Sequence, residues 1–158
     1  MALLGQHESA AERPAEIAIA LWFHDAIYAV TRKDNERKSA DWARSVLADA
    51  GADPIVIERI EALIMATCHD AEAETVDARL LVDIDLAILG AQAQRYAEYE
   101  TQIRAEYAWV PRMIYGAKRR AILQAFLDRE HIFQTEPFRV RYERAARANL
   151  TLAIAALQ

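Results

Sequence analysis

The sequence predicts an all-helical protein, and three observations carry that prediction. Glycine and proline number four each in 158 residues, too few for the many turns of a β-rich chain. Apolar residues recur at helical spacing between segments punctuated by capping residues, and no segment shows sustained apolar–polar alternation. The composition, 54% apolar and 27% charged, supplies a real core and excludes a disordered chain. A chain of this length suits one domain, here 1–158.

Start and stop signals divide the chain into about seven helices. Pro14 stands near the first position of a helix running to about Tyr28. Thr31-Arg-Lys-Asp-Asn35 is a polar loop, and Asp34 or Asn35 can cap a second helix that ends at Gly51. Asp53-Pro54 is a cap followed by proline at the first helical position, opening a third helix through about Ala66. Cys68 to Thr75 is a polar connection. Thr75 caps a fourth helix, which Gly90 stops. A fifth runs from about Ala93 to Ala108, and Val110-Pro111 opens a sixth that carries Lys118-Arg119-Arg120. Gln134-Thr-Glu-Pro137 is the last break before a C-terminal helix rich in alanine and arginine.

Charge and cysteine content narrow the setting. The net charge of −5 gives no global field that would attract nucleic acid. The single cysteine, Cys68, offers no disulfide framework and fits a reducing cytoplasm. The first residues lack a basic region and a long apolar run, so no signal peptide is expected. The longest uninterrupted apolar run, 17–23, falls well short of the ~20 residues that span a bilayer, so no membrane partner is expected. The apolar end, Leu150-Thr-Leu-Ala-Ile-Ala-Ala-Leu157, could pack internally or form a homodimer.

Two helices differ from the amphipathic others. The first is apolar nearly all round from Ile17, and so is the fourth, Leu80-Leu-Val-Asp-Ile-Asp-Leu-Ala-Ile-Leu89. Helices apolar on every side are expected to be buried. Each carries ionisable groups: His24 and Asp25 on one, Asp83 and Asp85 on the other. Burying a charge without a partner costs several kcal/mol or more. If these helices pack together, a cation makes the cluster favourable. A histidine with two carboxylates and water suits a divalent ion such as Mn, Fe, Zn, Mg, Co or Ni. Such an ion makes water more acidic and polarises phosphoryl oxygens. The plainer alternative is that an arginine or a helix N-terminus satisfies each aspartate, with His24 a hydrogen-bonded core histidine. The aromatic residues Trp22, Phe23, Tyr28, Tyr96 and Tyr99 read as core.

Several motifs follow in order: Trp22-Phe23-His24-Asp25-Ala26-Ile27-Tyr28, Asp34-Asn-Glu36 with Ser39-Ala40, Ala66-Thr67-Cys-His69, and Asp83-Ile-Asp85-Leu-Ala-Ile-Leu-Gly90. Ile103-Arg104-Ala-Glu106-Tyr107 and Ala146-Arg147-Ala-Asn149-Leu150 continue the series. Together they resemble the predicted metal-dependent phosphohydrolase branch of the HD-domain superfamily, over nearly the whole chain. The resemblance implies an all-helical HD-type bundle with a metal held by the pattern His…His-Asp…Asp. It makes His24 and Asp25 the central pair and Asp85 the final ligand, because Asp85 precedes an apolar residue. Asp83 is the close competitor, or otherwise a supporting partner.

Relatives of this kind carry a Tyr-His and a further histidine upstream of the doublet, one of them supplying the first ligand. The expectation is that this chain lacks that helix or has replaced the ligand. His7, in a polar setting, reads as a surface residue. The resemblance also favours His69 as a general acid, a phosphate contact or a second-metal ligand; from residues alone it is a loop histidine beside Asp70. It places Glu36 at the mouth of the site, where it could orient a water, besides its role in an acidic first turn. Arg32, Lys33, Arg104, Lys118 and Arg119 are candidates for phosphate, since arginine offers a bidentate fork. Each singly reads more simply as part of a solvated basic face. Arg141, Arg144 and Arg147 recur every three residues as a solvent stripe, and Cys68 reads as packing.

The expectation is a metal-dependent phosphohydrolase acting on a nucleotide or other small phosphorylated metabolite. The alternative is a degenerate HD module that binds a ligand or regulates without catalysis. A third, oxygen chemistry at two irons, needs more histidines than the chain clearly supplies.

Overall fold

The computed structural model describes residues 2–68 and 73–157. Among them the chain is helical with no strand, and it falls into two compact units, Met1–Asp85 and Leu86–Gln158. No helix among the described residues is long and apolar enough to cross a membrane.

The first unit contains α1 (Ala2–His7), α2 (Pro14–Phe23), α3 (Asn35–Asp49), α4 (Pro54–Met65) and α5 (Val76–Leu86). Short α1, followed by a 3-10 turn at Glu8–Ala10, was not foreseen from periodicity. The stop signal of α3 and the start signals of α4 and α5 operate as expected, but the Asp34 side chain makes no cap bond at the start of α3, and the fourth helix ends at Leu86 with a 3-10 turn, Ala87–Gly90, after it. Gly51 has φ +76 just past α3, while Gly51 N–H donates to Ala48 O and Ala52 N–H to Leu47 O. That pairing closes the helix as a Schellman motif, in a left-handed conformation that glycine adopts without a Cβ penalty. The Asp53 carboxylate accepts from Ile55 N–H at 2.7 Å, with Pro54 at the first helical position. Thr75 Oγ1 accepts from Ala78 N–H at 3.1 Å.

α4 is the centre of this unit, packing against both α2 and α3. Its buried Ile57, Ile60, Leu63 and Ile64 form a stripe at helical spacing. The buried positions of α3 are small or short (Asn35, Ser39, Ala40, Ala43), and α3 packs mainly against α4. Cutting Ile64 to alanine would cost ~2–5 kcal/mol through lost burial and the cavity left behind.

Expectation and structure part company at α2. The helix stops at Phe23, well short of Tyr28. The reason lies on α3: Ser39 Oγ accepts from Ile27 N–H at 3.0 Å, and Asn35 Oδ1 accepts from Ala29 N–H at 3.1 Å while its amide donates to Ala29 O. Those groups are thereby taken from the helix ladder and the chain turns away. Nor is α2 buried all round. Ile17 and Ala20 are covered, but Trp22 is 77% exposed and Tyr28 is also exposed, which corrects their reading as core. The fourth predicted helix does meet its expectation: Leu80, Leu81, Val82, Asp83, Ile84 and Leu86 of α5 are all buried.

The second unit opens with a 3-10 turn (Ala87–Gly90) and continues through α6 (Ala93–Glu106) and α7 (Arg112–Leu127). It ends in α8 (Glu136–Phe138), a π-helical turn (Arg139–Glu143) and α9 (Arg144–Ala156). Arg147 corrects the reading of a solvent stripe. Its guanidinium donates to Leu127 O, Arg129 O and Glu130 O at 2.8–3.0 Å, tying off the end of α7, and pairs with Glu143. The Glu143 carboxylate in turn accepts from Ile132 and Phe133 N–H. Two residues on from Arg147, the buried Asn149 amide donates to Leu89 O and Ala91 O, both at 2.9 Å. Flanking these polar anchors, Ala146 and Leu150 are fully buried.

Gly90 sits where no side chain fits: a Cβ there would stand 2.6 Å from Tyr142 Cβ and 2.9 Å from Tyr142 O. Gly90→Ala is therefore expected to lower stability by ~1–3 kcal/mol, the usual range for overpacking. Asn149→Ala, which strands the buried Leu89 carbonyl and the partly buried Ala91 carbonyl, should cost ~2 kcal/mol. Urea titrations followed by circular dichroism check both; a change under ~0.5 kcal/mol, the level of a neutral surface substitution, would contradict this packing.

Candidate metal centre

His24 caps the C-terminus of α2. Its N–H continues the helix to Ala20 O, and its Nδ1 lies 2.9 Å from Leu21 O, one turn back. A carbonyl only accepts, so Nδ1 carries hydrogen and the imidazole is oriented by its own helix. Nε2 then points away from α2. It meets Asp25 Oδ2 at 3.2 Å and Asp85 Oδ1 at 3.3 Å, so the chain brings a doublet from the end of α2 and an aspartate from α5 to one point.

Burial differs sharply across the three. The His24 side chain is 18% exposed, Asp85 24% and Asp25 66%. The expected buried cluster is thus an open-sided one: α5 supplies a covered wall and Asp25 faces solvent. Hydrogen bonds that His24 donates to Asp25 and then Asp85 push its pKa from 6.5 up to about 10, against the opposing effect of burial. Asp83, two residues before Asp85, stands about 160° away around the helix and is fully buried.

The other predicted residues are placed as follows. His69 lies outside the described residues. Glu36 occupies the first turn of α3, half-buried, and neither it nor Lys33 makes a hydrogen bond or ion pair among the described residues. Asp34 stands at the cap position of α3; its carbonyl accepts from Lys38 N–H, but its side chain makes no cap bond. Its carboxylate takes both donors of Arg32 at 2.7 Å, which lowers its pKa to about 2 and occupies the Arg32 fork. His7 closes α1 half-buried rather than on the surface. Arg104 belongs to the C-terminal unit, where it donates to Tyr107 O at 2.5 Å and Val110 O at 3.3 Å and stacks on Tyr115. Lys118 is exposed, whereas Arg119 is bound to Glu100 through two donors. Asn35 and Ser39, which pin the loop behind the doublet, were not singled out as functional; their i, i+4 spacing on the buried face of α3 was the available signal.

Among the described residues, no group of three or more His, Cys, Asp or Glu side chains has the arrangement of a metal cluster. The donor set itself suits a divalent cation: one imidazole nitrogen, with its partner nitrogen anchored, and two carboxylates. As it stands, the geometry is that of a protonated imidazole bridging two carboxylates, and that proton occupies the place a cation would take. No family model matches the chain, and searches of curated proteins and of solved structures give no significant match.

The raised His24 pKa has a definite sign. In the metal-free protein it stabilises the fold fully below pH 6.5, and that contribution is lost as pH rises through about 10. NMR titration of the imidazole should show it still protonated at pH 8, and the Asp25→Asn/Asp85→Asn double variant should return it toward 6.5. A wild-type imidazole already neutral at pH 8 would overturn the assignment.

Proposed function

We propose that the protein is a metal-dependent phosphohydrolase of the HD type. His24, Asp25 and Asp85 would hold the divalent ion, and the substrate would be a nucleotide or another small phosphorylated metabolite. What supports this reading is the convergence of His24 Nε2 with two carboxylates while Nδ1 is tied to Leu21 O. A divalent ion held there supplies Lewis acidity, which acidifies water and polarises a phosphoryl oxygen.

The chain's own residues provide the rest. The Nδ1–H bond fixes which ring nitrogen presents its lone pair, so no tautomer change precedes binding. Two carboxylates match the charge of a divalent ion. Asp85 is held by a buried helix, while the exposed Asp25 leaves one side open for a soluble substrate. Lys33 and Arg32, in the polar loop that precedes α3, are the candidate phosphate contacts. Arg32 must exchange Asp34 for phosphate to take part. Arg104 belongs to the C-terminal unit, where it binds the carbonyls that end α6, and is not assigned to the phosphate.

A second reading rests on the same three side chains. A protonated His24 already satisfies both carboxylates, so the cluster is closed without a metal, as a non-catalytic binding or regulatory module would have it. Calorimetric titration with Mn2+ and Zn2+, and turnover on a panel of phosphomonoesters and nucleotides, separate the two. The enzyme reading expects saturable metal binding and metal-dependent hydrolysis, both reduced at least ~100-fold in His24→Ala, at or beyond the upper end of losses from removing a supporting partner. It also expects a KM several-fold higher with little change in kcat for Lys33→Ala. A folded wild-type protein that takes up no metal would decide for the second reading.

A further inference from the structure

The C-terminal unit contains a cleft of about 660 Å³ between α6, α7 and α9, within the range of small-molecule sites. Neither the metal centre nor any proposed catalytic residue belongs to it. One wall is the face of α6 bearing Ala93, Tyr96, Ala97, Glu100, Thr101 and Arg104, positions that share a face at helical spacing. From Ala93 to Arg104 this face runs ~16 Å at 1.5 Å per residue. The opposite wall is apolar and largely small, from Leu152, Ala153 and Ala156 of α9.

The ends of the cleft differ. Toward the end where α6 passes into α7, Arg104 reaches the Val110 carbonyl, two residues before Arg112, and both arginines line the cleft. Among the described residues Arg104 donates to neutral carbonyls and pairs with no carboxylate, and exposed Arg112 has no ion pair. Arg112 also opens α7, a helix of 16 residues with no acidic side chain in its first turn and no side-chain cap, so the positive end of that helix adds to the two cations. The one carboxylate in the lining, Glu100, is neutralised by Arg119. About two turns of α6 away lies Tyr96, only 3% exposed. Its hydroxyl is buried beside the Glu100 carboxylate, which helps to raise its pKa, yet among the described residues no partner meets it at full hydrogen-bond geometry. A buried hydroxyl left in that state costs ~1–3 kcal/mol unless something supplies the missing bond.

We propose that this cleft binds an elongated amphiphilic carboxylic acid. Its carboxylate would lie between Arg104 and Arg112, its aliphatic body along Ala97, Leu152, Ala153 and Ala156, and a distal oxygen would bond the Tyr96 hydroxyl. The positive end selects an anion, the small apolar wall a slender chain, and the buried hydroxyl a second polar atom remote from the first.

Isothermal titration of the full chain with ω-hydroxydecanoate, decanoate and decanediol tests the assignment. One saturable site per chain is expected for ω-hydroxydecanoate. The uncharged diol should bind at least ~10-fold more weakly, the scale of a charge-assisted contact, and Arg112→Gln should erase that difference. Tyr96→Phe should remove a preference of ~2–10-fold for ω-hydroxydecanoate over decanoate, the worth of one hydrogen bond. Ala153→Phe, with its fold checked by circular dichroism, should fill the cleft and abolish binding. Equal affinity for acid and diol, or binding unchanged in Arg112→Gln, overturns the proposal; since Arg112 is exposed, that variant does not depend on tolerance of the core.

Discussion

A helical chain leaves its backbone polar groups unsatisfied wherever a helix stops, and here side chains from other helices meet that demand. Asp77 of α5 accepts from Glu12 and Arg13 N–H at the start of α2. Asn35 and Ser39 of α3 hold the loop after the doublet. Glu143, Arg147 and Asn149 serve the segments that enter and leave the C-terminal helices. Each bond contributes only ~1 kcal/mol net, but deleting one partner strands a buried group at a greater cost. The hydrophobic stripes pull the helices together, and these polar ties determine where each helix ends.

The candidate centre is a product of that rule. α2 could have continued past Phe23 on propensity alone, and its apolar sequence invites it to. Diverting the amides of Ile27 and Ala29 to α3 ends the helix at His24, which leaves the doublet at an open helix terminus within reach of Asp85. Electrostatics then favours a positive charge at Nε2, supplied by a proton or by a metal ion.

Helix starts were legible in the sequence because their signals are local: a cap, a proline or a glycine acts on residues within one turn. Asp53-Pro54, Thr75 and Gly51 all sit where reading the chain put them. The end of α2 was not legible, because the groups that end it arrive from α3 and cannot be seen in the residues 24–28 themselves. Arg147 was misread for a related reason. Its three-residue spacing with Arg141 and Arg144 looks like a solvent face, yet its partners are carbonyls about 20 residues earlier. At the site, residue type indicated which side chains could meet, and His24 does find Asp85. How exposed each would be depended on the packing of α2, and an apolar sequence overstated its burial.

The loop behind His24 is joined to α3 by side-chain hydrogen bonds and carries little of the apolar core. A segment held this way can open without unfolding the helices around it, because its release forfeits a few hydrogen bonds and leaves the α3–α4 contact intact. The amides of Ile27 and Ala29 would then exchange with solvent far faster than those inside α4. Asp25, which leads into that loop, is therefore the member of the candidate centre that local opening releases, while His24 stays on α2 and Asp85 on α5.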